Sequence, residues 1–355
     1  MAAPTAGPLA RNCVRPLISS GAVAAALPAC DSVSHKPDVP LGDIERFLVS
    51  RHGRPIDSLA PLPGGFWSAA YAYRVGDQAG GQDLVLRLGT IPEGFEADRA
   101  AMTFSGPELP VPKVLVIGEA FGFGYAISER HYGRFLEDVR ADESPRSGPM
   151  LGSLLRALRA IEERPDLSVS GKPADLAPQD SWHNHLLAQL VDDGASRNAG
   201  WRAALRKDPE LERLFSACEA RTRELREACA EPRHVVHRDL LYQNVLVSED
   251  ASTVTGVFSW KRSMRGDFLY DTAYCTFFSA WYPGVGAADP WAATLSTLTP
   301  DEMRDAGARH HCYELTIGAS HLGGYVWTND EQNLRAAQRR LSEILERGEL
   351  PVRRS

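Results

Sequence analysis

Residues 69–128 are patterned for strands, and from Arg130 onward the pattern turns helical. Segments 69–75, 83–88, 111–117 and 123–128 are short, rich in aliphatic and aromatic residues, and separated by glycine-bearing turns at 76–81 and 118–122, the signature of hairpins. One helix, 93–104, interrupts them. Behind them, 150–163 places Leu151, Leu154, Leu155 and Leu158 on one helical face. Helical spacing continues at 186–191, 201–205, 211–229, from Tyr270, and finally at 331–347. A sheet-rich front and a helical back define an α+β chain of two lobes, and small ligands bind in clefts between lobes.

The expected domains are 43–129 and 130–355, preceded by a poorly ordered extension, 1–42, rich in Ala, Pro and Ser. Arg11 and Arg15 followed by an apolar stretch ending at Cys30 give the extension a weak signal-like look, but Ser19, Ser20, Gly21 and Pro28 break it. The helix opening the first lobe, 43–49, has Asp43 as its expected N-cap.

The chain has 355 residues, 43% hydrophobic and 24% charged, with a net charge of -7. That charge gives nucleic-acid binding no general electrostatic support. No stretch approaches the roughly 20 apolar residues that cross a bilayer. The six cysteines form no C-x-x-C pair, so reduced thiols in a cytoplasmic protein are expected. His183, His185, His310 and His311 are read as packed or solvated residues rather than metal ligands.

Residues 234–247 read His-Val-Val-His-Arg-Asp-Leu-Leu-Tyr-Gln-Asn-Val-Leu-Val. The core, H-R-D-L-x-x-x-N before an apolar strand, is the catalytic-loop pattern of kinases. Its spacing sets an acid, Asp239, beside an attacking hydroxyl, and Asn244 across a tight loop where its amide oxygen reaches a phosphate-bound magnesium. Further on stand Thr-Gly-Val-Phe-Ser-Trp at 255–260 and Arg-Gly-Asp-Phe-Leu-Tyr-Asp-Thr-Ala at 265–273. In this order the segments resemble the aminoglycoside phosphotransferase family, most closely its hygromycin phosphotransferase branch. The likeness runs over about 43–330.

The resemblance implies a protein-kinase-like fold, with a small antiparallel-sheet lobe and a larger helical one, that uses ATP or GTP with Mg2+ to phosphorylate a small hydroxylated molecule, an aminoglycoside or similar natural product, in antibiotic resistance. Asp239 takes the catalytic role and Asn244 a metal-binding one. Arg87 stands for the strand lysine that grips phosphates, with Asp98, rather than Glu96, as its acidic partner. Gly64 and Gly65 belong to a phosphate-covering loop, and the backbone of Ser128, Glu129 and Arg130 is expected against the base. Asp271 is expected to brace the loop. Arg238 stands where the family usually has a small residue, so different bracing is expected. Ser259 occupies the position of the main metal-binding aspartate, and a neutral hydroxyl is a poorer ligand for a hard cation. That leaves two functions open: an active kinase, with Asp267 as the nearest compensating acid, or a pseudo-enzyme that binds nucleotide or ligand. Asp301, Glu302, Asp305 and Glu314 are candidate attractors for a polycationic substrate, or simply a solvated face.

Overall fold

The computed structural model describes residues 36–63, 68–76, 80–90, 92–161, 181–195, 199–229 and 234–352. Gly64 and Gly65, and all but the end of the N-terminal extension, lie outside the described residues.

In the first lobe, α1 (Leu41–His52) leads into β1 (Ile56–Leu62), β2 (Ser68–Val75), β3 (Gln82–Gly89), α2 (Glu93–Ala101), β4 (Val114–Ala120) and β5 (Phe123–Glu129). The strands form one antiparallel sheet in the order β1-β2-β3-β5-β4. Alternation along the strands gives the sheet two faces. Tyr71, Tyr73, Leu84, Leu86, Leu88, Tyr125 and Ile127 pack with Ile44 and Leu48 of α1. The other face presents Ser68, Ala70, Val85, Arg87 and Ser128 to a cavity between the lobes. Register makes this consistent, because Ala70 pairs with Arg87 and Val85 with Ser128.

Local chemistry moved several expected boundaries. Asp43 is not a cap: α1 starts at Leu41 behind Pro40, whose carbonyl accepts the Asp43 and Ile44 N–H groups, and Asp43 pairs with Arg46. Strand β4 begins at Val114, not Val111, because Pro110 and Pro112 have no N–H to give a ladder and the Val111 N–H donates to Ser105 Oγ at 2.9 Å. The β4–β5 turn is the pair Phe121 and Gly122, both at positive φ, as a two-residue hairpin requires. Gly118 stays in the strand, where the Tyr125 ring lies against it. Strand β1 carries no expectation from the sequence, since Pro61 and two adjacent exposed residues break its alternation.

The second lobe begins with β6 (Arg134–Phe135) and α3 (Ser144–Arg159), then α4 (Trp182–Ala188), α5 (Trp201–Leu205) and α6 (Pro209–Leu225). Short strands follow: β7 (His234–Val236), β8 (Val245–Val247), β9 (Val254–Val257) and β10 (Met264–Gly266). Helices α7 (Leu269–Phe278), α8 (Pro283–Ala287), α9 (Pro290–Leu295), α10 (Ala306–Thr328) and α11 (Glu331–Arg347) complete it. Helix α10 is its axis, packed by α5, α6, α7 and α11. Apolar and small residues surround α10 on all sides, the composition of an interior helix. No described helix is long and apolar enough to cross a membrane.

Candidate active site

The segment between β7 and β8 is the H-R-D run, and side chains from three elements fix its shape. Asp271 in α7 accepts the His237 N–H at 2.7 Å and the Arg238 N–H at 2.8 Å. His237 is fully buried and lies edge-on to Trp260. Its Nε2 is 2.8 Å from the Phe258 carbonyl, and its Nδ1 accepts the Asp239 N–H at 3.2 Å. Those two partners select the tautomer with the proton on Nε2. Asn244 Nδ2 donates to the carbonyls of Asp239 and Leu241, at 2.7 and 2.8 Å. The Gln243 N–H donates to Glu137.

Three residues of the loop, Arg238, Tyr242 and Gln243, hold positive φ, as does Ser259 nearby. Non-glycine residues in that region carry strain. Arg238, in the position where a small residue was expected, is braced through its side chain. Its guanidinium donates to Gln189 Oε1 at 3.0 Å and to the Met264 sulfur, and lies over the Tyr270 ring.

Asp239 is half-buried on the cavity wall. Tyr274 donates to Asp239 Oδ1 at 3.1 Å. Burial, reinforced by the Asp239 charge, raises the Tyr274 hydroxyl far above its ordinary range, so it stays a donor. Beneath the loop, burial pushes the Glu137 carboxyl up to about 7, against the Gln243 N–H that lowers it. One oxygen of Glu137 is buried without a hydrogen-bond partner.

Across the cavity, Arg87 of β3 and Asp98 of α2 form an ion pair at 2.6 Å. Glu96, the rejected alternative, pairs with Arg99. Asp98 also accepts the Trp260 N–H at 2.8 Å, tying the first lobe to the turn after Ser259. At the segment joining the lobes, the Glu129 N–H donates to the Lys113 carbonyl and the Arg130 N–H to the Asp83 carbonyl. Those two N–H groups are thus used inside the lobe, while Ser128, Glu129, Arg130 and Tyr132 line the cavity.

The cavity measures about 650 Å³. It brings together Arg87, Asp98, Ser128, Glu129, Asp239, Asn244 and Ser259. Tyr242, His321, Tyr325, Trp327 and Thr328 also line it. Burial lowers His321 to about 4, so that ring is neutral near pH 7.

Several expectations fail. Asp267 is no compensating metal ligand: it is buried, held by Arg309 at 2.8 and 3.0 Å, by the Tyr313 hydroxyl and by the Leu269 N–H. The four acids nominated for a cationic substrate do not line the cavity. Glu314 is buried against His310 and Arg347, Glu302 pairs with Arg159, and Asp301 pairs with Arg304. Asp305 sits at the start of α10. Sequence reasoning also passed over Tyr274, Glu137 and Arg262. Tyr274 was findable, lying three residues after Asp271 on the same helix. Glu137 carries no local signal, since its partner is 106 residues away.

Fold and site together describe a kinase-like phosphotransferase. The profile of the phosphotransferase enzyme family matches residues 58–306, and the chain belongs to that family. Among characterised relatives, it is 27% identical over 320 residues to hygromycin-B 4-O-kinase of Escherichia coli, covering 88% of this chain and 87% of the relative. A crystal structure of a thermostable mutant of aminoglycoside phosphotransferase APH(4)-Ia, in ternary complex with AMP-PNP and hygromycin B, superposes with TM-score 0.69 and 25% identity, over 86% of this chain and 98% of that one. Spectinomycin phosphotransferase APH(9)-Ia, at TM-score 0.55 and 13% identity over 87% and 98% of the two chains, shares the fold. The chain is thus a small-molecule kinase by family.

Proposed function

We propose that this chain moves the γ-phosphoryl group of ATP or GTP to a hydroxyl of an aminoglycoside or similar natural product. The observation that carries the reading is Asp239, exposed to the inter-lobe cavity and pinned through its backbone by His237 and Asn244 and through its side chain by Tyr274. Asp239 orients the acceptor hydroxyl and takes its proton. The acceptor oxygen bonds the γ-phosphorus as the bond to the β-phosphate bridging oxygen breaks, and the nucleoside diphosphate leaves. Arg87, fixed by Asp98, holds the phosphates from the sheet side. Complexes of similar proteins with AMP-PNP, ADP and GDP support nucleotide use.

The donor set suits a magnesium ion carried largely by the phosphates. With Asn244 Nδ2 engaged by two carbonyls, its Oδ1 is free to act as a donor. Ser259 lines the same wall and adds a neutral hydroxyl. Bound there, the ion would neutralise phosphate charge. The buried free thiols Cys218, Cys229, Cys275 and Cys312 support a cytoplasmic setting.

Ser259 also motivates a second reading, a metal-impaired pseudo-enzyme that binds nucleotide or ligand. One experiment separates them: nucleotide consumption with a panel of amino sugars and related natural products, for the unmodified protein, Asp239→Asn and Ser259→Asp. Turnover that Asp239→Asn abolishes supports the kinase. Turnover appearing only in Ser259→Asp supports the pseudo-enzyme, and turnover indifferent to Asp239 refutes both.

A further inference from the structure

The turn after Ser259 holds a cation that no expectation assigned. Arg262 ends the short 3-10 turn Trp260–Arg262 and lines the cavity with Asp239, Asn244 and Ser259. It forms no hydrogen bond or ion pair with another described residue, yet it lies within electrostatic reach of Asp239 and of the Tyr274 and Tyr270 hydroxyls. Its side chain is exposed to the cavity.

The turn itself is held firmly. The Trp260 N–H donates to Asp98, its indole N–H to the Val257 carbonyl at 3.3 Å, and its own carbonyl accepts the Ser263 N–H at 2.9 Å. The same Asp98 carboxylate grips Arg87. One acid thus positions both cationic walls of the cavity, Arg87 by direct pairing and Arg262 through the backbone of its turn.

We propose that Arg262 is a catalytic residue that binds the transferring phosphoryl group. An arginine fork matches phosphate oxygens geometrically and stays charged throughout. A phosphoryl group in transit to a hydroxyl held by Asp239 lies in the cavity that Arg262 lines together with Asp239, Asn244 and Ser259. As the bond to the leaving diphosphate breaks, charge spreads over the equatorial oxygens, and a fixed cation there stabilises the transition state more than the ground state. Arg262 adds a fixed positive charge to the lining of the cavity, where Ser259 offers a metal only a neutral hydroxyl. This assignment rests on the kinase reading above.

The test compares AMP-PNP and ADP binding by calorimetry, with magnesium present, in the unmodified protein, Arg262→Ala and Arg262→Lys, alongside turnover. A contact to the γ-phosphoryl group makes the unmodified protein bind AMP-PNP about tenfold tighter than ADP. Arg262→Ala removes that preference and leaves ADP affinity unchanged, Arg262→Lys restores part of it, and turnover falls roughly 100-fold or more in the alanine variant. A folded Arg262→Ala that keeps both the preference and the turnover overturns the assignment while leaving the kinase reading intact. An unmodified protein that binds no nucleotide overturns both.

Discussion

Asp271 holds Arg238 by its backbone rather than by its charge. The Arg238 N–H donates to Asp271 Oδ1 at 2.8 Å across 33 residues of sequence, while the guanidinium turns away to Gln189. The fully buried carboxylate thus acts as a double acceptor that sets the entry to the H-R-D loop, with the His237 N–H on its other oxygen. Replacing Asp271 with asparagine keeps one acceptor and faces an amide N–H2 against the second donor. The expected cost is about 1–3 kcal/mol in urea unfolding. Turnover should fall about 10- to 100-fold with nucleotide affinity little changed, since the loop carries Asp239 and not the phosphate grip. Unchanged kcat with weakened nucleotide binding would contradict this.

The Arg87–Asp98 pair makes the opposite split. Arg87→Met should raise the nucleotide KM about 10- to 100-fold, because the charge removed is the one proposed to hold the phosphates. Asp98→Ala should do more, since it frees Arg87 and also leaves the buried Trp260 N–H without its acceptor. A loss of about 3 kcal/mol in stability is expected for it. Calorimetric nucleotide binding and thermal unfolding, measured together, check both; an Asp98→Ala protein as stable as the parent would count against the shared anchor.

Glu137 predicts a pH dependence. Its carboxyl, about 7 in the fold against an ordinary 4.5, is raised, so the folded state holds an extra proton between those values. Its contribution to stability is present in full below about 4.5 and is lost as pH rises through 7. Glu137→Gln keeps an acceptor for the Gln243 N–H and cannot ionise. It should therefore flatten the stability profile and gain on the order of 2–3 kcal/mol near pH 8. Urea melts of both proteins at pH 5 and pH 8 decide it, and parallel profiles would rule it out.

Glu314, nominated from the sequence as a substrate-facing acid, is instead a buried anchor between α10 and α11, through Arg347, with His310 on its own helix. Glu314→Ala removes the buried acceptor that the half-buried Arg347 and the His310 ring share. About 1–3 kcal/mol of destabilisation is expected, with nucleotide and acceptor KM unchanged at a temperature where the variant is folded. A selective rise in acceptor KM would restore the original idea.

What the sequence made legible was local. The resemblance pointed to Arg87 on its strand, and of the three acids on the helix after it, Glu93, Glu96 and Asp98, it is the expected Asp98 that pairs with Arg87. The H-R-D spacing placed Asp239 and Asn244 on one loop because eight residues between two strands leave little freedom. Asp271 was readable as a brace from its motif. What stayed hidden depended on distant partners. Asp267 looked available until Arg309, 42 residues on, neutralised it. Glu314 could be read as part of a solvated face because α10 is buried nearly all round and so has no polar side to mark its direction, and Glu302 because its partner Arg159 lies 143 residues away. Strand β1 exists because β2 offers it an edge, not because its own residues alternate.

The left-handed residues Arg238, Tyr242, Gln243 and Ser259 have a consequence for how the molecule comes apart. Each conformation costs about 1 kcal/mol or more that the segment itself does not return. The loop is therefore moulded by α7, by Glu137 and by the Phe258 carbonyl, and can take its working shape only once they are docked. Turnover should accordingly be lost no later than far-UV ellipticity as denaturant rises, because the loop keeps its shape only while those elements stay docked.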